Sequence, residues 1–322
     1  MTGIYAYGIE YALGERKLSV EESGMEGLLL SDPADLQEAG FRWHHVCQPE
    51  TTALDLAKDA VQSLNSRTGL GAPDAIIYAT ALPLNGNAGD PQEWLRTRDV
   101  KHLMDFPGSR LQSHFDLSRA VVVGINQQAC TSMLGALRVA RGLLATEPAW
   151  NQVLCVTSDR FPDGSLYEQT YNPISDGAAA CLIGREPIGV ELVAFHQLTS
   201  GGLAYATDDE TVGSYFAYTY RLVREITERA GLAVTDVDWV VTQNTHEKAW
   251  KILSRTLKVP ADRVWCPSMP EVGHVISGDT MINLRLLIDS GRLQPGEWIL
   301  AVMAGYGLNW QAALLQATDR LQ

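Results

Sequence analysis

Long apolar runs are missing from this sequence. No stretch approaches the roughly 20 residues that a membrane-spanning helix needs, which excludes a chain threaded through a bilayer by helices. The N-terminus, MTGIYAYGIEYALG, also lacks a basic stretch followed by a long apolar one. A signal peptide is therefore not expected, and residence in the cytoplasm is. Basic residues are in the minority: 25 Lys and Arg face 38 Asp and Glu, for a formal net charge of −13. That balance argues against nucleic acid as a partner. Cysteine is sparse, odd in number and scattered (Cys47, Cys130, Cys155, Cys181, Cys266). No pair has metal-ligand spacing. His44, His45, His102, His114 and His196 read as surface or loop residues that form no ligand group. Neither a metal nor a bound cofactor is expected.

What is present is ordinary globular material, 322 residues with 46% apolar side chains. That is enough for two core-bearing units in one body. One stretch organises it. Ala120-Val121-Val122-Val123 reads as a buried strand. After Asn126-Gln127-Gln128 comes Cys130, and then apolar residues from Met133 to Leu144 cover nearly every face of a helical wheel, which predicts a central, buried helix. Cys130 thus stands where a strand hands over to a helix N-terminus, whose N–H groups and dipole favour the anionic thiolate that attacks carbonyl carbons. Cys155 and Cys181 fall inside apolar strands and read as packing residues.

The rest of the chain repeats one order. A helix over Thr52 to Leu64 leads to a strand over Pro73 to Leu82. A long polar segment, 83–118, carries a short helix around Trp94 to Met104. After the Cys130 unit come strands at Gln152–Thr157 and Gly177–Ile183. The second half follows suit: a helix over Tyr215 to Ala230, strands at Val237–Thr242 and from Arg263, a helix over Thr280 to Asp289, and strands at Trp298–Met303 and Trp310–Leu315. Two halves in one order suggest an internal duplication. Related by a pseudo-two-fold, they would bring the segment holding His274 opposite Cys130.

The segments QQACTSMLGAL, ISDGAAACLIG, VWCPSMPEVGH, GFRWHHV and AGYGLNWQAALL together resemble the thiolase superfamily, in its ketoacyl synthase III branch, over nearly the whole length. The resemblance implies an α/β thiolase fold. Two pseudo-symmetric βαβαβαββ halves, 1–185 with the nucleophile and 186–322 with His and Asp, would form a five-layered αβαβα body, normally a homodimer. It also implies acyl capture on Cys130 from a coenzyme A or acyl-carrier-protein thioester. The oxyanion would face the backbone N–H groups of Cys130 and, in the Gly305-Tyr306-Gly307 loop, Tyr306.

The departures from the family pattern point to a particular chemistry. The HQAN motif becomes Gln243-Asn244-Thr245-His246, and the Asn of GNTS becomes His274. Two donors that hold an enolate in decarboxylative condensation are thereby replaced. Cys130, His274 and Asp279 instead make a Cys–His–Asp set suited to activating a hydroxyl or amine. This resembles the ester-forming acyltransferases of natural-product pathways, with a small-molecule acceptor. Carbon–carbon condensation and a non-catalytic partner subunit are the alternatives. Asp279 reads equally as a helix-capping carboxylate, Gln243 as a donor or a space-filler, and His246 as a second base. Lys248, Lys251 and Arg255 read as a carrier-docking face or as a solvated helix face with an ordinary i,i+4 pair.

Overall fold

The apolar runs read as strands form strands, and these fall into two sets. The computed structural model describes residues 3–306 and 308–321. The first half carries β1 (Tyr5–Leu13), β2 (Ala75–Ala79), β3 (Val121–Ile125), β4 (Gln152–Asp159) and β5 (Gly177–Gly184), with helices α1 (Ala53–Thr68), α2 (Pro107–His114) and α3 (Ser132–Thr146). The second carries β6 (Val190–Thr199), β7 (Trp239–Thr242), β8 (Val264–Trp265), β9 (Trp298–Gly305) and β10 (Asn309–Ala317), with α4 (Asp208–Arg229), α5 (Glu247–Leu257) and α6 (Asp279–Asp289). Each half thus runs βαβαβαββ through these elements. Among the described residues the strands join in one sheet of order β8-β7-β9-β10-β6-β1-β5-β4-β2-β3. From its middle outward, both halves place their first, fifth, fourth, second and third strands in turn. Within the sheet the halves are joined by pairing of Tyr5↔Glu191 and Ala6↔Val190.

Side-chain alternation along the strands sorts the core into layers. Leu154 and Val156 pack with α1 residues such as Leu56 and Leu64, whereas Val153 and Cys155 face the other way. There they join Met133 and Leu137 of α3, Met281 and Leu284 of α6, and Ile299, Ala301 and Leu315 of the second half. On the far side Leu300, Val302 and Trp310 pack with Leu222 and Ile226 of α4 and Leu253 of α5. The result is helix, sheet, paired central helices, sheet, helix: the αβαβα arrangement. No helix among the described residues is long and apolar enough to cross a membrane.

Several elements differ from the sequence expectation. The strand before Cys130 is β3, an outer edge rather than a buried strand, and Val121 is 50% exposed. In α3, Ser132–Leu137 are buried on all sides, but Arg138 and Val139 reach solvent. The helix expected over 94–104 is split into Pro91–Thr97 and a 3₁₀ turn at Val100–Leu103, because Arg98 turns left-handed (φ +61°) between them. The helix expected from Tyr215 starts earlier, at Asp208, where Thr207 and Glu210 form a capping box. Three histidines read as surface or loop residues are packed or bonded. His44 is fully buried, donating through Nδ1 to the Ile174 carbonyl (2.7 Å) and accepting at Nε2 from Ser23 (2.5 Å), and burial lowers its pKa. His45 bonds the Gly14 carbonyl, and His196 lies between Glu225 and Arg229.

Candidate active site

Cys130 sits in a 3₁₀ turn, Ala129–Thr131, ahead of α3. To enter it, Gln127 and Ala129 adopt φ of +61° and +45°, left-handed values uncommon for residues with a Cβ. The second half repeats the device: a 3₁₀ turn at Ile276–Gly278 precedes α6, and Ile276 also has φ +45°. Register therefore pairs Cys130 with Ser277, whose hydroxyl meets that of Thr157. His274 comes from just upstream of that turn. Its N–H donates to the Pro173 carbonyl (2.8 Å) and its own carbonyl accepts from Ser175 (2.9 Å), which fixes the backbone beneath the ring.

The imidazole has two neighbours. Its Nδ1–H donates to Asp279 Oδ2 at 2.5 Å, and the ring lines the same cavity as Cys130, near enough for the two to interact electrostatically. Burial disfavours the imidazolium, but the adjacent charges of Asp279 and Cys130 outweigh it and push the His274 pKa up to about 10. Asp279 is fully buried and also accepts the N–H groups of Asn244 and Val275, both at 2.7 Å. A buried amide lattice supports it. Asn244 donates to Ser268 (2.8 Å) and the Gly273 carbonyl (2.7 Å), while Asn283 donates to Asn244 (2.9 Å) and the Thr242 carbonyl (3.0 Å). Sequence reading found the carboxylate but not this lattice.

The other expected positions fall around the same cavity, of about 280 Å³. Cys130, His274 and Gln243, each less than a tenth exposed, all line it. Gln243 Oε1 accepts the Ala304 N–H (2.5 Å), which leaves its NH₂ as the group to offer a ligand. Gly305 packs so close that a Cβ would lie 2.7 Å from the Cys130 nitrogen. That approach brings the end of β9 against the turn that carries Cys130. Tyr306 lies at the mouth, its hydroxyl paired with Thr170 (2.6 Å); Gly307 lies outside the described residues. His246 also lines the cavity, but its Nδ1 accepts the Lys248 N–H (3.1 Å) as the cap of α5. Burial and nearby Lys248 lower its pKa.

The basic residues stand on or beside α5 with acidic neighbours. Lys248 pairs with Glu38 (2.5 Å) and Lys251 with Glu247 (3.0 Å), while Arg255 is exposed. The apolar walls were not foreseen from the sequence. They include Val212, Tyr215 and Phe216 of α4, Ile252 of α5, and Leu308 and Trp310. The helical start of α4 is what brings Val212 there. A hairpin at the mouth was also missed. Its turn residues Thr170 and Tyr171 have φ of +49° and +63°, a geometry that Asn-Gly adopts more readily.

Comparison with known proteins agrees in kind. Residues 125–201 match the family described as 3-oxoacyl-[acyl-carrier-protein] synthase III, and residues 227–317 match its C-terminal counterpart. Together these span a little over half of the chain. The beta-ketoacyl-[acyl-carrier-protein] synthase III of Chlamydia caviae is 24% identical, covering 90% of each chain. The structure of 3-oxoacyl-(acyl carrier protein) synthase III from Pseudomonas aeruginosa PAO1 superposes with a TM-score of 0.82 at 20% identity, covering 99% of this chain and 100% of that one. ChlB3, named as an acyltransferase, superposes at 0.79 with 20% identity over 98% of each chain. At such identities the superpositions establish the fold, which is the thiolase fold.

Proposed function

Because the chain belongs to the 3-oxoacyl-[acyl-carrier-protein] synthase III family of the thiolase superfamily, an enzyme family that transfers acyl groups, we propose that it moves an acyl group from a coenzyme A or carrier-protein thioester to a hydroxyl (or amine) of a small specialised metabolite. The observation that carries this reading is the His274 ring, bonded to the buried Asp279 and lining one cavity with Cys130. With the Cys130 proton held on His274, the sulfur adds as the thiolate to the thioester carbonyl. The resulting oxyanion faces the N–H groups of Cys130 and Tyr306. Collapse expels the donor thiolate, which takes the proton from His274 and leaves acyl-Cys130. The acceptor hydroxyl then gives its proton to His274 and attacks the acyl carbon. Cys130 departs and regains the proton.

The electrostatics fit this sequence. The charge on Cys130 is one of those that keep His274 protonated. An acylated sulfur carries none, so the ring becomes a better base when the acceptor arrives. Asp279 stabilises the imidazolium formed in each step. We place a carrier protein on the outward face of α5, where Arg255 is exposed and the Lys248 and Lys251 ion pairs are open to exchange. The open edge of β3 supports a homodimer.

A second reading is carbon–carbon condensation, favoured by the names of the relatives. Product analysis separates the two, since an ester is cleaved by mild alkali and a ketone is not. Incubation with acyl-coenzyme A should add one acyl mass that Cys130→Ala loses; equal labelling of that variant rejects the nucleophile. His274→Ala should still load in part while failing to transfer to the acceptor.

A further inference from the structure

Gln243 stands where β7 ends, and bonds on every side hold it in place. Its carbonyl accepts the Thr242 hydroxyl (3.0 Å), and the Thr242 carbonyl accepts from Asn283 (3.0 Å). The next N–H, that of Asn244, donates to Asp279 Oδ2, the oxygen that His274 Nδ1 also bonds. The side chain is tied in another direction, through Oε1 to the Ala304 N–H of β9 (2.5 Å). Ala304 adjoins Gly305, which rests against the Cys130 nitrogen. Gln243 therefore bridges the carboxylate that holds His274 and the strand end that meets the Cys130 turn.

The Ala304 bond also decides which way round the amide lies. A backbone N–H needs an acceptor, so the oxygen is spent there and the NH₂ is the end left to offer. Nε2 has no hydrogen-bond partner among the described residues and is not buried out of reach, so it opens on the cavity that Gln243 lines with Cys130 and His274. Much of the wall around it is apolar: Tyr215 and Phe216 of α4, with Leu308 and Trp310. Other polar groups of the lining are engaged. His246 Nδ1 accepts the Lys248 N–H, Lys248 Nζ donates to Glu38, and the Thr170 and Tyr306 hydroxyls pair with each other. A donor fixed among apolar walls is costly unless something that enters the cavity meets it.

We infer that the Gln243 NH₂ selects the acceptor, by bonding an ether, carbonyl or hydroxyl oxygen carried close to the hydroxyl that receives the acyl group. The inference rests on transfer from acyl-Cys130 to a hydroxyl. On that reading His274 takes the proton of the attacking hydroxyl. Gln243, anchored through Asn244 to the same carboxylate oxygen as His274, offers its donor to the next oxygen along the acceptor. The amide takes no part in proton transfer, so what it contributes is the direction of one hydrogen bond. An acceptor without that second oxygen leaves the NH₂ unpaired and is disfavoured on that account. Placing an acceptor atom where the NH₂ stands reverses the preference.

The test loads the full-length protein from acetyl-coenzyme A, removes the donor, and follows loss of acyl mass from Cys130 to three alcohols: trans-2-ethylcyclohexanol, trans-2-methoxycyclohexanol and trans-cyclohexane-1,2-diol. The first two have nearly one shape, and the methoxy oxygen only accepts. With hydrolysis subtracted, the wild type should discharge to the methoxy alcohol about ten-fold faster than to the ethyl one. Gln243→Glu keeps an oxygen for the Ala304 N–H but turns a second acceptor to the cavity. In it the diol, which has a hydrogen to give, should overtake the methoxy alcohol. Gln243→Leu should bring the ethyl and methoxy rates together. If one variant does not fold, the other and the wild-type ratio carry the test. Equal discharge of the wild type to the ethyl and methoxy alcohols, or unchanged ratios in a folded variant, overturns the inference while leaving acyl transfer standing. Discharge to none of the three alcohols rejects transfer to a hydroxyl, and the inference with it.

Discussion

At the scale of single residues, Asp279 and His274 carry the sharpest expectations. Asp279→Asn keeps the shape but offers His274 an amide that can present the wrong group to Nδ1. Transfer to the acceptor should fall by about 10²–10⁴, with acyl loading less affected. The N–H groups of Asn244 and Val275 would lose a charged acceptor, so urea unfolding should show a loss of about 1–3 kcal/mol. A variant that transfers at the wild-type rate reduces the site to a Cys–His pair. His274 also sets a pH dependence. Its folded pKa lies above the ordinary 6.5, at about 10. The stability it contributes is therefore complete below about pH 6.5 and is lost as the pH rises through about 10. Unfolding curves of wild type and His274→Gln at pH 6 and pH 10.5 should converge at the higher pH. Cys130 and His274 were legible in the sequence because their types and their places in the half-repeat were informative. Ser277 as the true counterpart of Cys130 was not, because the left-handed turns at Ala129 and Ile276 leave no mark in residue type.

At the scale of elements, the end of β9 and the mouth hairpin bear most directly on activity. A Cβ on Gly305 would fall 2.7 Å from backbone nitrogen, where no flexible side chain can give way. Gly305→Ala should displace the Cys130 turn and suppress acyl loading, while circular dichroism shows the fold retained. Normal loading would mean that the turn tolerates the shift. Tyr171 sits at positive φ beside Thr170 in the mouth hairpin. Tyr171→Gly should relieve that strain, with a gain of up to about 1 kcal/mol in thermal unfolding. Most strands and helices were readable from apolar periodicity. The misses have physical causes. In β6 the alternation is broken by a bulge between Leu192 and Ala194. In β3 a run of valines says that the strand is apolar, not which neighbours it has. The start of α4 is polar and is set by the Thr207 cap rather than by an apolar stripe.

At the scale of the whole molecule, the two halves have the same strand order, and the sheet has an open edge at β3. Side chains there are half out of the core, with Val121 at 50% exposure. An unprotected apolar edge invites a second copy to pair with it. Sedimentation should give a dimer, and Val121→Lys should shift it towards monomer; a wild type that sediments as a monomer contradicts the homodimer. The two halves are stitched in the sheet by Tyr5↔Glu191 and Ala6↔Val190, and the sulfur belongs to one half and the ring to the other. On the proposed mechanism, chemistry is a coincidence signal: the thiol gains its proton acceptor only after both lobes have formed and docked. A nascent chain released after the first lobe would display the sulfur with no means of discharging an acyl group, so premature acylation during synthesis would stall as a dead-end adduct.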